Sequence, residues 1–290
     1  MSEQITNQNN PLSAYFRAPK MYLKLPSGAN YYSDDVVTKP DSGEFAIYPM
    51  TTKDEMSLKN PDALLNGEAV ASLVKSCVPE IKKPKELLSA DVDAILIAIR
   101  GASAGDEVEV NAECPKCKET STVTVSIDSS LATMESIEDA YTENLSNGLK
   151  ITVLPFTYGN TIKAGIASFQ STRSMQAISE LEDDMDRLKA FNTSFVKLAD
   201  LNFEMMLDSI NSVSYMNEEG TEEKVTERNQ LREFLENTDN TTGKEIEKLV
   251  NDINSKGVKQ DIRVECQAEK CDNTFDAPIN FDPVNFFTGS

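Results

Sequence analysis

Four of the five cysteines in this 290-residue chain fall into two close pairs. One is Cys114-Pro115-Lys116-Cys117; the other is Cys266-Gln267-Ala268-Glu269-Lys270-Cys271. Two thiolates at such spacing form a knuckle that holds half of a metal's coordination sphere. Zinc takes four tetrahedral ligands, and its structural sites are commonly four-cysteine sites. Cys114, Cys117, Cys266 and Cys271 are therefore the candidate ligands of one structural Zn2+. The competing readings are two disulfides, or four unrelated core cysteines. The paired spacing and the matching flanks favour zinc. The gap in the second knuckle lies at the loose end of the usual range.

The flanks say how the knuckles must be held. Glu107 to Glu113 leads into the first and Asp261 to Glu265 into the second, and both runs alternate apolar with polar residues. That period-2 pattern is the mark of a half-buried strand. Strand-like sequence also follows each knuckle, at Thr122–Ile127 and at Thr274–Ile279. Each segment therefore reads as strand–knuckle–strand, and together they predict a split four-Cys zinc ribbon. Residues 118–265 would be inserted into it, so that the metal ties the start of the insertion to its end.

Composition narrows the chemistry. The chain has no histidine, which removes histidine triads, Cys–His nucleophile pairs and histidine zinc ligands. A catalytic zinc needs an open position, and four cysteines leave none, so the metal reads as structural. The net charge of −20 argues against nucleic-acid binding, which normally needs a basic surface. It favours solubility and a basic patch on a partner protein. The sequence shows no signal peptide and no apolar run of membrane length, which predicts a cytosolic protein with reduced thiols and no membrane partner.

The expected architecture is α+β: a small antiparallel sheet and helices, with the split ribbon closing a large, mainly helical insertion. Residues 1–19 read as a flexible arm and 20–105 as an N-terminal α+β domain. Residues 106–127 with 260–290 form the ribbon and C-terminal tail, and 128–259 the insertion. Within the first domain, Lys20–Leu25 is a strand, Pro26-Ser27-Gly28 a turn, Asn30-Tyr31-Tyr32 the start of a return strand, and Phe45–Met50 a further strand. Thr51 opens a short helix. A second helix runs from about Asp62 to Val78, with Leu65, Ala69, Leu73 and Cys77 on one stripe, so Cys77 reads as a core thiol. A third spans Val92–Arg100.

Beyond the first knuckle, one short helix is expected over Leu131–Tyr141 and a strand over Leu149–Pro155. A long helical segment follows Tyr158. Ile178, Leu181, Met185 and Leu188 form a coiled-coil-like seam, and Phe191, Phe195, Leu198, Asn202 and Met205 a second stripe. A break near Asn192 or Thr193 would fold the segment into a helical hairpin. A β-hairpin is expected over 210–226, then a helix capped by Thr226 and a last helix opening at Thr241 and ending before Gly257. The tail carries Phe286 and Phe287, which are either tucked into the fold or offered to a partner.

Several of these runs recur in order in one family. They are Leu25–Gly28, Tyr48–Glu55, Asn60–Glu68, Cys77-Val78-Pro79, Asp93–Arg100, the two knuckles and Phe281–Phe287. Together they resemble the baseplate hub assembly proteins (hub assembly chaperones) of T-even-like contractile-tailed phages. The resemblance runs from about residue 20 to the end. It implies a non-enzymatic protein made in the host cytoplasm, acting in or on the central hub of the tail baseplate, with hub or wedge proteins as partners and self-association left open. Retention in the virion does not follow from it.

Two alternatives belong to other classes. A zinc-ribbon nucleic-acid-binding or transcription factor would share the same metal. Yet Glu113, Glu119, Glu265, Glu269 and Asp272 outnumber Lys116, Lys118 and Lys270 at the knuckles. An enzyme would need paired acids such as Asp34-Asp35 or Asp183-Asp184. Adjacent helical residues point in different directions, and acid runs are usually solvated.

Overall fold

The structure is a computed structural model that describes residues 11–138, 140–179, 183–257, 261–268 and 271–278. It is α+β, as expected. Strand β1 (Met21–Leu23) pairs antiparallel with β2 (Phe45–Ile47). The expected return strand at Asn30–Tyr32 is instead a series of turns. A buried acid explains the difference. Ser27 donates its amide N–H and its hydroxyl to the Asp91 carboxylate, and the Tyr32 hydroxyl donates there too. These bonds fasten the loop to a helix instead of zipping it along β1. Burial raises the Asp91 pKa against those same hydrogen bonds.

Helix α1 (Thr52–Leu58) starts at a capping box between Thr51 and Asp54. The predicted helix from Asp62 to Val78 is two helices, α2 (Pro61–Leu65) and α3 (Glu68–Cys77). Gly67 divides them in a left-handed conformation, φ 72°. A side chain there would meet Ile162, because an added Cβ would lie 2.2 Å from its Cδ1. Helix α4 (Ser89–Ala104) is longer than predicted and runs through the middle of the first core. Ile95, Ile97 and Ile99 on it are all sealed from solvent. Leu73, Val74 and Cys77 of α3 pack into the same core, so Cys77 is the core thiol its spacing predicts.

Strands β3 (Glu107–Glu113) and β4 (Thr120–Ser126) form the first ribbon hairpin. The short helix expected over Leu131–Tyr141 lies earlier, as α5 (Ile127–Ala132), where the Ser126 hydroxyl accepts from the Ser129 amide. Tyr141 instead begins β5 (Tyr141–Asn144), the edge of a four-stranded antiparallel sheet. Its other members are β6 (Lys150–Val153), β7 (Ile210–Met216) and β8 (Glu222–Val225), in that order. Helices α8 (Arg228–Asn237) and α9 (Asn240–Asn254) close a second core over this sheet. Their caps are Glu227, without a side-chain bond, and Asp239, in place of the expected Thr226 and Thr241.

Helices α6 (Tyr158–Ser179) and α7 (Asp184–Ser209) are inserted between β6 and β7 as an antiparallel arm. The break falls before Asp184, not near Asn192. Asp183 caps α7 by accepting from the Met185 and Asp186 amides. Thr193 stays helical, with its hydroxyl donating to the Lys189 carbonyl one turn back. Leu181 of the predicted seam, and Phe286 and Phe287 of the tail, lie outside the described residues. The second ribbon hairpin is β9 (Asp261–Glu265) with β10 (Thr274–Pro278).

Candidate metal centre

The first knuckle is the turn between β3 and β4. Glu113 faces Thr120 as the last paired residues. The Cys114 amide then donates to the Glu119 carbonyl at 2.9 Å, and the Lys118 amide donates back to the Cys114 carbonyl at 2.9 Å. Closing so tight a turn puts Lys118 at φ 63°, a left-handed conformation rare for a residue with a Cβ. The second knuckle is closed in similar fashion. The Cys266 amide donates to the Asn273 carbonyl at 2.9 Å, and the Cys271 amide to the Ala268 carbonyl at 3.0 Å.

The two hairpins meet over a very small core. Among the described residues, its buried apolar cluster is Ala112, Val264 and Ala277, with Val123 and Phe275 against them. Polar bonds add to it. Gln267 donates its amide N–H to the Ser121 hydroxyl and its side-chain amide to the Thr122 carbonyl, both at 3.2 Å. The Asn273 side-chain amide donates to the Cys114 sulfur at 3.4 Å. Ser121, Gln267 and Asn273 were not singled out from sequence. Nothing in their type or spacing marks them, since their roles depend on how one hairpin lies on the other.

This arrangement brings all four predicted ligands together. The sulfurs of Cys114, Cys117, Cys266 and Cys271 lie within 4.8 Å of one another. Cys117 and Cys266 are 3.5 Å apart, and Cys114 and Cys271 3.9 Å. A Zn–S bond of about 2.3 Å in a tetrahedron requires sulfurs about 3.8 Å apart, whereas a disulfide would bring a pair to about 2.05 Å. All five cysteines are free thiols. The geometry thus fits one tetrahedral ion and neither of two disulfides. Cys77 takes no part. It lies in the first core with the Arg17 guanidinium 3.6 Å away, and burial and the Asp54 charge push its thiol up to about 11.

The electrostatics ask for a cation. Burial disfavours the Cys114 thiolate, yet the Cys117 and Lys116 amides and the Asn273 side chain outweigh it, holding this thiol down to about 6. At Cys266 the Ala268 amide favours the thiolate. Burial and the neighbouring sulfurs outweigh that amide and push the thiol up to about 12. One thiolate in the cluster suppresses the next. A divalent ion at the centre removes that conflict, because metal-bound cysteines are deprotonated.

Comparison with known proteins places the chain in a family. The profile of the T4 bacteriophage base plate protein family matches residues 19–288. The chain belongs to that family. The match takes in both cores, the arm and both knuckles. The base plate family points to a structural, non-enzymatic role and to contacts with other base plate proteins. No curated protein and no solved structure matched the chain. Among the described residues, no helix is long and apolar enough to cross a membrane.

Proposed function

We propose that this base plate protein assembles, or forms part of, the hub of the phage base plate through protein–protein contacts, with a structural Zn2+ on Cys114, Cys117, Cys266 and Cys271. The observation that carries the reading is the family match over residues 19–288, joined to a chain built for contact and not for chemistry. The four thiols fill a tetrahedral ion, which leaves no open position for a substrate. The metal would bolt the segment before the four-stranded sheet to the segment after it. Residues 128–259 would then act as one insertion held at both ends, with 20–105 as the N-terminal domain.

The arm supplies the contact surface. Met185, Leu188, Phe191 and Phe195 on α7 are all exposed. Monomeric surfaces rarely gather large apolar side chains in this way, and such gatherings mark sites of association. The partners would be hub or wedge proteins, met in the host cytoplasm during assembly, with the protein then carried in the virion tail. A ribbon that reads nucleic acid is disfavoured by the net charge of −20.

The test is co-expression with the hub and wedge proteins of the same phage, with zinc measured on the purified complex. The reading expects about one zinc per chain and one hub or wedge protein retained at high salt. Retention of nucleic acid alone would sink it.

A further inference from the structure

The four thiols of the metal centre do not face water equally. Cys114 and Cys271 are buried, Cys117 is exposed and Cys266 is half-buried. One edge of the tetrahedron, from Cys114 to Cys271, therefore lies inside the ribbon. The opposite edge, from Cys117 to Cys266, faces out. The backbone sets this difference. Cys114 follows the buried Ala112 at the strand period of two, so it turns to the same inner face. Its sulfur also accepts from the Asn273 side-chain amide at 3.4 Å. Cys117 sits in the turn beyond the last strand pair, within the exposed run 115–120. Each edge also joins one hairpin to the other, at 3.9 Å for the inner pair and 3.5 Å for the outer. A covalent bond along either edge would staple the two hairpins together.

The outer edge is the one that an oxidant can reach. Thiol oxidation follows thiolate character and exposure. Metal ligation requires thiolates at all four positions, so exposure decides, and it singles out Cys117. A disulfide needs its sulfurs about 2.05 Å apart, so this edge has about 1.5 Å to close, which small side-chain rotations supply. With hydrogen peroxide the step balances as follows. The Cys117 thiolate attacks one peroxide oxygen, the O–O bond breaks, and hydroxide leaves a sulfenic acid on Cys117. The Cys266 thiolate attacks that sulfur, the S–S bond forms, and a second hydroxide leaves. Each sulfur has given up one electron, and the peroxide has taken two. Cys114 and Cys271 then remain as two ligands, half of a tetrahedral zinc shell. The hairpins stay joined all the same. The new bond closes residues 118–265 into one loop, and a cross-link constrains the unfolded chain more as its loop grows longer.

We infer that the Cys117–Cys266 edge is a redox switch: a two-electron oxidant converts it to a disulfide across the two hairpins, which frees the ion and keeps the ends of the insertion tied. The inference rests on the metal reading for the state that it replaces, and not on the hub role. A reducing cytosol keeps the thiols and their ion, whereas disulfides persist outside the cell. A base plate protein that leaves its host on the virion tail passes from the first medium to the second. The competing product is a disulfide within one knuckle. It would pair a buried sulfur with a more accessible one and leave the hairpins without a link. The burial of Cys114 and Cys271 stands against it.

One equivalent of hydrogen peroxide, added to the full-length, zinc-loaded protein, tests the switch. Zinc release is followed with a chromogenic chelator. Free thiols are then alkylated in denaturant, and a non-reducing digest is mapped by mass spectrometry. The expected product is a Cys117–Cys266 cross-linked peptide, with Cys77, Cys114 and Cys271 alkylated and about one zinc freed per disulfide. Dithiothreitol with added zinc should restore the starting state. Amide exchange over β3 and β9 of the oxidised protein should be at least roughly tenfold slower than in reduced, chelated protein. A main product with the disulfide inside either knuckle, zinc release without the Cys117–Cys266 bond, or exchange as fast as in the chelated protein would each overturn the inference. The same map on chelated protein keeps the two readings apart. If the untreated protein holds no zinc, the metal reading fails by itself, and the cross-link map still supports or overturns the pairing of Cys117 with Cys266.

Discussion

The first core and the ribbon hold their chains together by different means. The first core surrounds α4 with α3, β1 and β2, and Leu73, Ile95, Ile97 and Ile99 are sealed from water. Its stability comes from apolar burial, at about 25 cal/mol per Å2. Among the described residues, the ribbon's buried apolar cluster is just Ala112, Val264 and Ala277. Two of those three are alanines, so little apolar surface leaves water. Besides the bonds of Gln267 and Asn273, its hairpins converge on four sulfurs within 4.8 Å. Where a chain segment cannot build a core, a metal can substitute for one, and its binding energy would then become folding energy. The same contrast explains why the segments are far apart in sequence. Burial needs many neighbours, while a metal needs only one well-placed residue at each ligand position.

Removing the metal is the strongest way to break the comparison. Cys271→Ser, or chelation of the wild type, should unfold the ribbon while leaving the first core intact. Structural zinc contributes roughly 10 kcal/mol or more in small metal-held units, so the loss should exceed any single core substitution. Amide exchange reads it directly. Protection over β3, β4, β9 and β10 should collapse, and protection over α4 should persist. Equal loss in both regions would show that the ribbon is an integral part of the first core.

The converse variant is Ile97→Ala. A buried isoleucine cut to alanine costs about 2–5 kcal/mol. The melting temperature should fall, and zinc content below the transition should not change. A loss of zinc in that variant would mean that the two regions share their stability.

How far these regions were legible in the sequence follows from the same contrast. The four ligands were readable because a knuckle is local: two cysteines, a tight turn and flanking strands all lie within one short run. The seating of one hairpin on the other, through Gln267 and Asn273, is a long-range fact with no local sign. The α4 core was readable from its unbroken apolar run. The pairing of β1 was not, because Lys20–Leu25 and Asn30–Tyr32 look like a hairpin until Asp91, far along the chain, claims the loop between them. In the arm, the apolar repeat ran across the true helix break. Only Asp183, the stronger cap, marks where the chain turns.

Acidity should move the two regions in opposite directions. Asp93 lies on α4, and burial pushes its carboxyl up to about 6. The folded state then holds this proton more tightly than the unfolded chain, whose carboxyl titrates near 3.9. The stabilising protonated form is fully present below about pH 4 and is lost as pH rises through about 6. Asp93→Asn removes that loss, so the variant should be more stable than wild type by about 3 kcal/mol at pH 7 and equal to it near pH 4. The ribbon behaves in the reverse sense. A metal held there would need its ligands as thiolates, so acid that protonates them would release it. Denaturant melts across this pH range, with zinc release followed in parallel, would separate the two trends. A shared trend would contradict the assignment of the two regions to different forces.

The smallest effect concerns the asymmetry between the knuckles. Lys118 closes the first knuckle at φ 63°. An L-residue pays about 1–2 kcal/mol in that region, and glycine does not. Glycine in turn loses more chain entropy on folding, by about 0.4–1 kcal/mol. The Lys118–Glu113 pair lost in the exchange is exposed and 3.5 Å apart, so it adds little. Lys118→Gly should therefore stabilise the ribbon by roughly 0.5 kcal/mol. No described residue of the second knuckle has a left-handed backbone, so Asp272→Gly should weaken it instead. Chelator concentration at half-loss of zinc reads both, with a small rise expected for the first variant and a fall for the second. If both move the same way, strain at Lys118 is not what distinguishes the knuckles, and the difference must lie in the longer loop between Cys266 and Cys271.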